Sequence, residues 1–170
     1  MTDRDAADPG RAWTFGDDID TDQIIPSRFL VSSDPVELGE HAFNDLRPEF
    51  SENVAAGDFV VGGTNFGSGS SREHAPISLV GAGVAGVVAE SFARIFFRNA
   101  INIGLPVLIC PDAGRIEDGD RIHIEIANGR VVNHTTGETY DADPLPEFLQ
   151  ELVDQGGLKP YTRKKLESDA

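Results

Sequence analysis

The run FVVGGTNFGSGSSREHAPISLVGAGVAGVVA, residues 59–89, decides the fold. An apolar strand over Asp58–Val61 lies between Gly57 and Gly63, and a polar, glycine-rich loop, Thr64–Ser70, leads out of it. A helix is predicted from about Ser71 to Val80, and Val84–Ala89 reads as a buried strand. The alternation repeats with a helix over Phe92–Asn102 and a buried strand over Leu105–Cys110. Strand, helix, strand, helix, strand is the order of an α/β layer with crossover connections.

The flanks extend this layer. Arg11–Phe15 adds a short first strand, and Gly16–Pro26, with four aspartates among few apolar residues, reads as a loop. Asp34 suits a helix N-cap, with Pro35 at the first helical position and Glu37 spaced for a capping box. Downstream, Ile122, Ile124 and Ile126 share one face of a strand over Arg121–Ala127. Asn128 and Gly129 then turn the chain into Arg130–Asn133. Glu147–Asp154 reads as a late helix, ended by Gly156 and Gly157. The 170 residues thus divide into a disordered tail (1–10), one domain (11–158) and a polar, frayed C-terminal tail (159–170).

Acids outnumber bases 29 to 14, for a formal charge of −15. Nucleic acids and anionic membranes attract basic patches, so neither is an expected partner. No apolar run approaches the about 18 residues of a membrane span. The polar, acidic start is neither a secretory signal nor a basic transit peptide, and the cytoplasm is the expected location. Of the bases, 11 are Arg and only 3 are Lys, against 17 Asp. That bias suggests a surface suited to high salt, where self-repulsion is screened.

Cys110 is the only cysteine, which excludes an intrachain disulfide and any iron–sulfur cluster built by this chain alone. It sits in an apolar run and reads as a buried small hydrophobe. His41, His74, His123 and His134 show no metal-ligand spacing, so no metal is expected here.

Two glycine-rich signals carry possible chemistry. The first is GAGVAG, residues 81–86, a literal GxGxxG. A nucleotide-binding module would use Gly81–Gly86 as a phosphate turn. The preceding strand would be short and start beside Pro76, and no acid lies about 20 residues on to hold a ribose. A structural helix-to-strand connection is the favoured reading. The second is the loop of residues 62–74. Ser68 stands where a Walker loop needs Lys, and the pattern is not GxSxG. What remains is a glycine loop running into a helix start with two hydroxyls and Arg72. It is either a small-anion site or an ordinary capped helix with a solvated arginine. A serine paired with His74 as nucleophile and base lacks an evident orienting acid, and a capping serine is favoured instead.

Three motifs occur in order: DIDTDQIIP at 18–26, GTNFGSGSSREHAP at 63–76 and AESFARIFFRNAINIGLP at 89–106. Together they resemble the small-subunit family of the 3-isopropylmalate dehydratases, within the aconitase family, over roughly residues 13–158. The short length looks like the archaeal-type small subunits. The resemblance implies a swivelling β/β/α domain like the fourth domain of aconitase. It implies isomerisation of 2- and 3-isopropylmalate through 2-isopropylmaleate, in leucine biosynthesis, and activity only with a large subunit. That partner would carry the [4Fe-4S] cluster, with no cofactor bound by this chain.

By the same resemblance, Ser70 is the expected base, Arg72 the carboxylate clamp and Ser71 a supporting contact to a malate-type substrate. The loop Arg28–Ser32 matches the segment that separates substrates in the family. Val31 stands where isopropylmalate enzymes carry an apolar residue and homoaconitases an arginine. Related hydro-lyases acting on homoaconitate, citramalate or dimethylmalate are the alternatives of the same class.

Overall fold

The computed structural model describes residues 9–70 and 72–168. In chain order it forms β1 (Gly10–Thr14), α1 (Thr21–Ile24), α2 (Pro35–Gly39), α3 (Glu49–Asn53) and β2 (Phe59–Gly62). Next come α4 (His74–Gly81), β3 (Gly86–Ala89), α5 (Arg94–Asn102) and β4 (Val107–Ile109). The chain closes with β5 (Arg121–Glu125), β6 (Arg130–Asn133), β7 (Thr139–Asp141), α6 (Glu147–Asp154) and α7 (Leu158–Ser168).

All seven strands join one sheet in the order β4-β3-β2-β1-β5-β6-β7. β1 to β4 run parallel, with Trp13 opposite Val60, Val60 opposite Val87 and Val88 opposite Leu108. β5 to β7 form an antiparallel meander joined to β1, with Gly10 opposite Ile122. The two halves differ in the residues they need. β2 and β3 are buried along their whole length and are almost entirely Val, Phe and Gly. β5 and β6 alternate, with Ile122, Ile124 and Val131 inward and charged residues outward.

Asp58 fixes the first parallel pair. Its buried carboxylate accepts from the Trp13 indole Nε1 at 3.0 Å, the Arg11 amide at 3.1 Å and the Ala55 amide at 2.9 Å. Three N–H donors satisfy a charge that would otherwise be costly to bury. Trp13 then packs edge-on against Phe50, whose ring meets Phe43 and Phe15.

The run 81–86 is the structural connection that the sequence favoured. α4 runs into Gly81, Gly83 has a φ of +92°, and β3 begins at Gly86. A Cβ on Gly81 would strike the Pro35 carbonyl, and one on Gly39 would strike the backbone of Gly81 and Ala82. The glycines let α2 and α4 cross at close range. Helix, glycines, strand is also the reverse of the strand, glycines, helix order of a phosphate turn.

Several expectations need correction. β1 starts at Gly10, inside the stretch read as a disordered tail, because its backbone pairs with β5; residues 1–8 lie outside the described residues. Residues 16–26 are not wholly loop. Asp20 caps α1 and forms a capping box with Gln23, which is residue 23's side chain reaching back to the Asp20 amide at 3.0 Å. Asp34 does cap α2, but it accepts from Val36, so Glu37 completes no capping box. α4 starts at His74 rather than near residue 71. Residues 158–168 are helical rather than frayed, with Tyr161 edge-on to Phe148 of α6. β7 and α3 had no periodic signal: one is three residues long and the other five.

Cys110 is buried, as expected, and burial pushes its thiol pKa up. The β5–β6 pairing brings His123 and His134 within 2.7 Å across the hairpin, a neighbourhood invisible in linear spacing. Among the described residues no group of three or more His, Cys, Asp or Glu is placed to hold a metal ion.

Candidate active site

The glycine-rich loop after β2 lies at the carboxyl end of the parallel strands, between the segment that follows β1 and the one that follows β3. Backbone bonds hold it on both sides. The Gly67 amide donates to the Ile19 carbonyl at 2.7 Å, and the Thr21 amide donates to the Ser68 carbonyl at 2.8 Å. On the other side, the Phe66 amide donates to Ser91 and the Ala93 amide to Phe66. Phe66 is fully buried against Phe92 and Phe96 and anchors the loop to α5. Gly67 has a φ of +85°, and a Cβ there would run into the Phe96 ring. Only glycine meets both demands.

This arrangement brings the first motif against the second. Thr21 is 3% exposed, and its hydroxyl accepts the Ser70 amide at 3.3 Å. The two hydroxyl oxygens, Thr21 Oγ1 and Ser70 Oγ, are 3.1 Å apart. Ser70 itself is exposed. Two residues on, the half-buried Arg72 donates to Asp22 at 3.3 Å. The same Asp22 oxygen accepts the Ser27 amide at 3.1 Å, at the start of the turn that carries residues 28–32. A hydroxyl, a guanidinium and the base of a surface loop therefore converge.

That surface loop has its own scaffold. The Arg28 guanidinium forms a fork with the Asp45 carboxylate, which holds the Asp45 pKa down at about 2. Arg28 also covers the Phe29 ring, and Phe29 stacks on His41 at 4.0 Å with ring planes 4° apart. Beyond this platform Val31 projects with 94% of its surface exposed. An apolar side chain held out on a fixed platform is available to another surface.

The fold and these loops can now be set beside known proteins. A family model described as the aconitase C-terminal domain matches residues 55–112. The 3-isopropylmalate dehydratase small subunit of Methanosarcina mazei is 58% identical over 91% of this chain and 96% of its own length. The chain belongs to the family of 3-isopropylmalate dehydratase small subunits. Another relative, the isopropylmalate/citramalate isomerase small subunit of Methanocaldococcus jannaschii, is 49% identical over 92% of this chain and 94% of its own. A crystal structure of 3-isopropylmalate dehydratase from Methanocaldococcus jannaschii superposes with a TM-score of 0.88, covering 95% of this chain and 97% of that one, at 41% identity. The expected α/β fold of the aconitase C-terminal type is thus the observed one.

Ser70 and Arg72 fall in one cluster. Ser71 lies outside the described residues. The turn that leads to Val31 is tied to Arg72, not to Ser70, through Asp22 and the Ser27 amide. Thr21 and Asp22 lie in the first motif, and the sequence assigns them no role. Only the packing of two loops shows what they touch.

Proposed function

We propose that this chain is the small subunit of a 3-isopropylmalate dehydratase and interconverts 2- and 3-isopropylmalate through 2-isopropylmaleate, acting with a large subunit in leucine biosynthesis. The observation that carries the reading is the convergence of Ser70 and Arg72 on one short, glycine-pinned loop. The high identity to a small subunit of that name supports it.

The chemistry follows from the residue types. Arg72 grips a substrate carboxylate in a fork, and Asp22 keeps the guanidinium pointed at the site. Ser70 Oγ takes the proton from the carbon beside a carboxylate. The electrons of that C–H bond form the double bond as the hydroxyl leaves the neighbouring carbon; rehydration in the other sense completes the isomerisation. A [4Fe-4S] cluster on the large subunit would supply Lewis acidity to the departing hydroxyl. The described residues of this chain offer no ligand set for it, since Cys110 is buried under β7 with its thiol 3.5 Å from the Asp141 carbonyl. Serine is a weak base, so positioning and fixed donors must do much of the work.

Val31 is the proposed contact for the substrate's branched apolar group. With 94% of its surface exposed, it needs a second surface to complete a pocket, which fits an active site shared with a large subunit. Citramalate, whose methyl is two carbons smaller than the isopropyl group, is proposed as a weaker additional substrate, because a pocket discriminates by only about 1–3 kcal/mol for each missing methylene. The identity to an isopropylmalate/citramalate isomerase subunit favours that breadth. The acidic, lysine-poor surface is further read as an adaptation to high salt, and the compartment as the cytoplasm.

The test is co-expression with the cysteine-bearing large subunit, followed by an ultraviolet assay for the maleate-type intermediate. Isopropylmalate should give the signal with the pair and not with this chain alone. Stoichiometric iron–sulfur absorbance in the isolated chain, or a pair inert towards all malates, would sink the reading.

A further inference from the structure

We infer that Thr21 is a positioning residue for the reaction: its hydroxyl donates a hydrogen bond to Ser70 Oγ and favours the ionised, basic form of that serine. The inference rests on the reading of Ser70 as the base and goes beyond it by naming what makes the base competent.

The bonding inventory limits what the Thr21 hydroxyl can do. A threonine hydroxyl has one proton and two lone pairs. One lone pair of Thr21 Oγ1 accepts the Ser70 amide at 3.3 Å. The backbone of Thr21 is already committed, its amide to the Ser68 carbonyl at 2.8 Å and its carbonyl to the Ile25 amide at 3.0 Å. The residue is 3% exposed, so solvent is not the partner of its proton. Ser70 Oγ, 3.1 Å away, is the acceptor within reach.

While Ser70 is a neutral hydroxyl, either oxygen can donate. Once Ser70 has lost its proton, only Thr21 can. The contact therefore strengthens when charge appears on Ser70 Oγ, and an interaction that strengthens with developing charge accelerates the step. When Ser70 takes the substrate proton, Thr21 keeps its own. No proton passes along the pair, so the balance of the step is unchanged.

The surrounding chain keeps this geometry fixed before substrate arrives. The Asp20–Gln23 capping box sets the start of α1, and Asp20 bridges to Ser68 across the two loops. Gly69, at a φ of +100°, brings its backbone close enough that a Cβ would lie 3.4 Å from Thr21 Oγ1. An aspartate cap, a buried threonine and a glycine thus serve one oxygen–oxygen contact.

The test uses the reconstituted pair of subunits with isopropylmalate. Thr21→Val keeps the shape and removes the proton. Its kcat should fall roughly 100-fold, the scale of losing one donor to a developing oxyanion. KM should stay near the wild-type value, and the ascending limb of the kcat–pH profile should move to higher pH. Thr21→Ser, which keeps the hydroxyl, should restore most of the rate. Three results would overturn the inference: wild-type kcat and pH profile in Thr21→Val, equal losses in Thr21→Val and Thr21→Ser, or a loss confined to KM. Ser70→Ala separates the two levels. If it is inert while Thr21→Val is normal, Thr21 is excluded and Ser70 stands; if Ser70→Ala turns over normally, the base reading itself fails. Should Thr21→Val not assemble with the large subunit, Thr21→Cys decides. Its weaker donor should lower kcat with KM kept, and wild-type turnover would overturn the proposal.

Discussion

Ser70, the proposed base, supports little of the structure. It is exposed, and the N-cap of α4 is Glu73, so Ser70 caps no helix. Replacing it with alanine removes one contact between exposed and buried hydroxyls and leaves the core untouched. Ser70→Ala should cost about 1–3 kcal/mol of stability, the scale of leaving the buried Thr21 hydroxyl without its partner. Turnover of the assembled enzyme should fall by orders of magnitude. Chemical denaturation and steady-state kinetics on the same preparation check both halves, and wild-type turnover would remove Ser70 as the base. Arg72→Lys belongs to the same scale. It keeps the charge but loses the fork, so kcat/KM should drop although Asp22 still has a cation to pair with.

At the scale of the element, the segment 27–31 is a platform rather than a loose loop. The Arg28–Asp45 fork and the Phe29–His41 stack hold it from below, and Asp22 holds its first amide. The tip at Val31 can then change chemistry without moving the platform. Against Val31 an unpaired substrate carboxylate would cost several kcal/mol, so the wild type should reject homoaconitate-type tricarboxylates. Val31→Arg should reverse part of that preference. Its side chain starts from an exposed position, so the substitution should leave the thermal midpoint nearly unchanged. The measurement is the ratio of kcat/KM for the two substrate classes in wild-type and variant complexes. An unmoved ratio would show that Val31 does not face the side group.

Across the whole molecule, a charged clasp adds to the β1–β5 pairing at the junction of the parallel and antiparallel halves. Arg47, ahead of α3, forks onto Asp118, ahead of β5, at 2.8 Å for each bond, and also donates to the Thr14 carbonyl at the end of β1. Asp118 accepts the Thr14 amide as well. Arg47, hydrogen-bonded to it, holds the Asp118 pKa down at about 2, from an ordinary 3.8. A carboxylate depressed in the folded state contributes stability that is present above its unfolded pKa and is lost as pH falls through the folded value. The window therefore runs from about pH 4 down to about pH 2. The urea midpoint of the wild type should fall more steeply through that window than that of Asp118→Asn, and the two should converge at its acid end. Parallel curves would exclude the clasp. Net charge acts on the same scale. At −15, repulsion among surface acids should be relieved by salt, so the thermal midpoint should rise from low to molar potassium chloride. A flat or falling midpoint would reduce the acidic surface to composition.

Periodicity was enough to find the α/β layer. β2 and β3 are short apolar runs with glycine at an edge, β4 is one flanked by Pro106 and Cys110, and α6 follows its 3.6-residue pattern from Glu147 to Asp154. Patterns of this kind are local, because burial on a fixed face repeats along the chain. The three motifs were likewise legible, and the family they pointed to is the one the chain belongs to. Other features belong only to the folded chain. α1 is a single turn closed by its own capping box, too short to show a period. β7 exists because β6 offers it an edge. The 158–168 helix is polar by composition but has Tyr161 to pack on α6. The contact between Thr21 and Ser70 joins residues 49 positions apart, and Arg47 meets Asp118 across 71. The sequence determined the strands and helices that carry a period and which residue types could do chemistry, since those depend on neighbours within a turn or two. Tertiary structure alone decided which hydroxyl faces which, because that depends on how two loops pack at the end of a sheet.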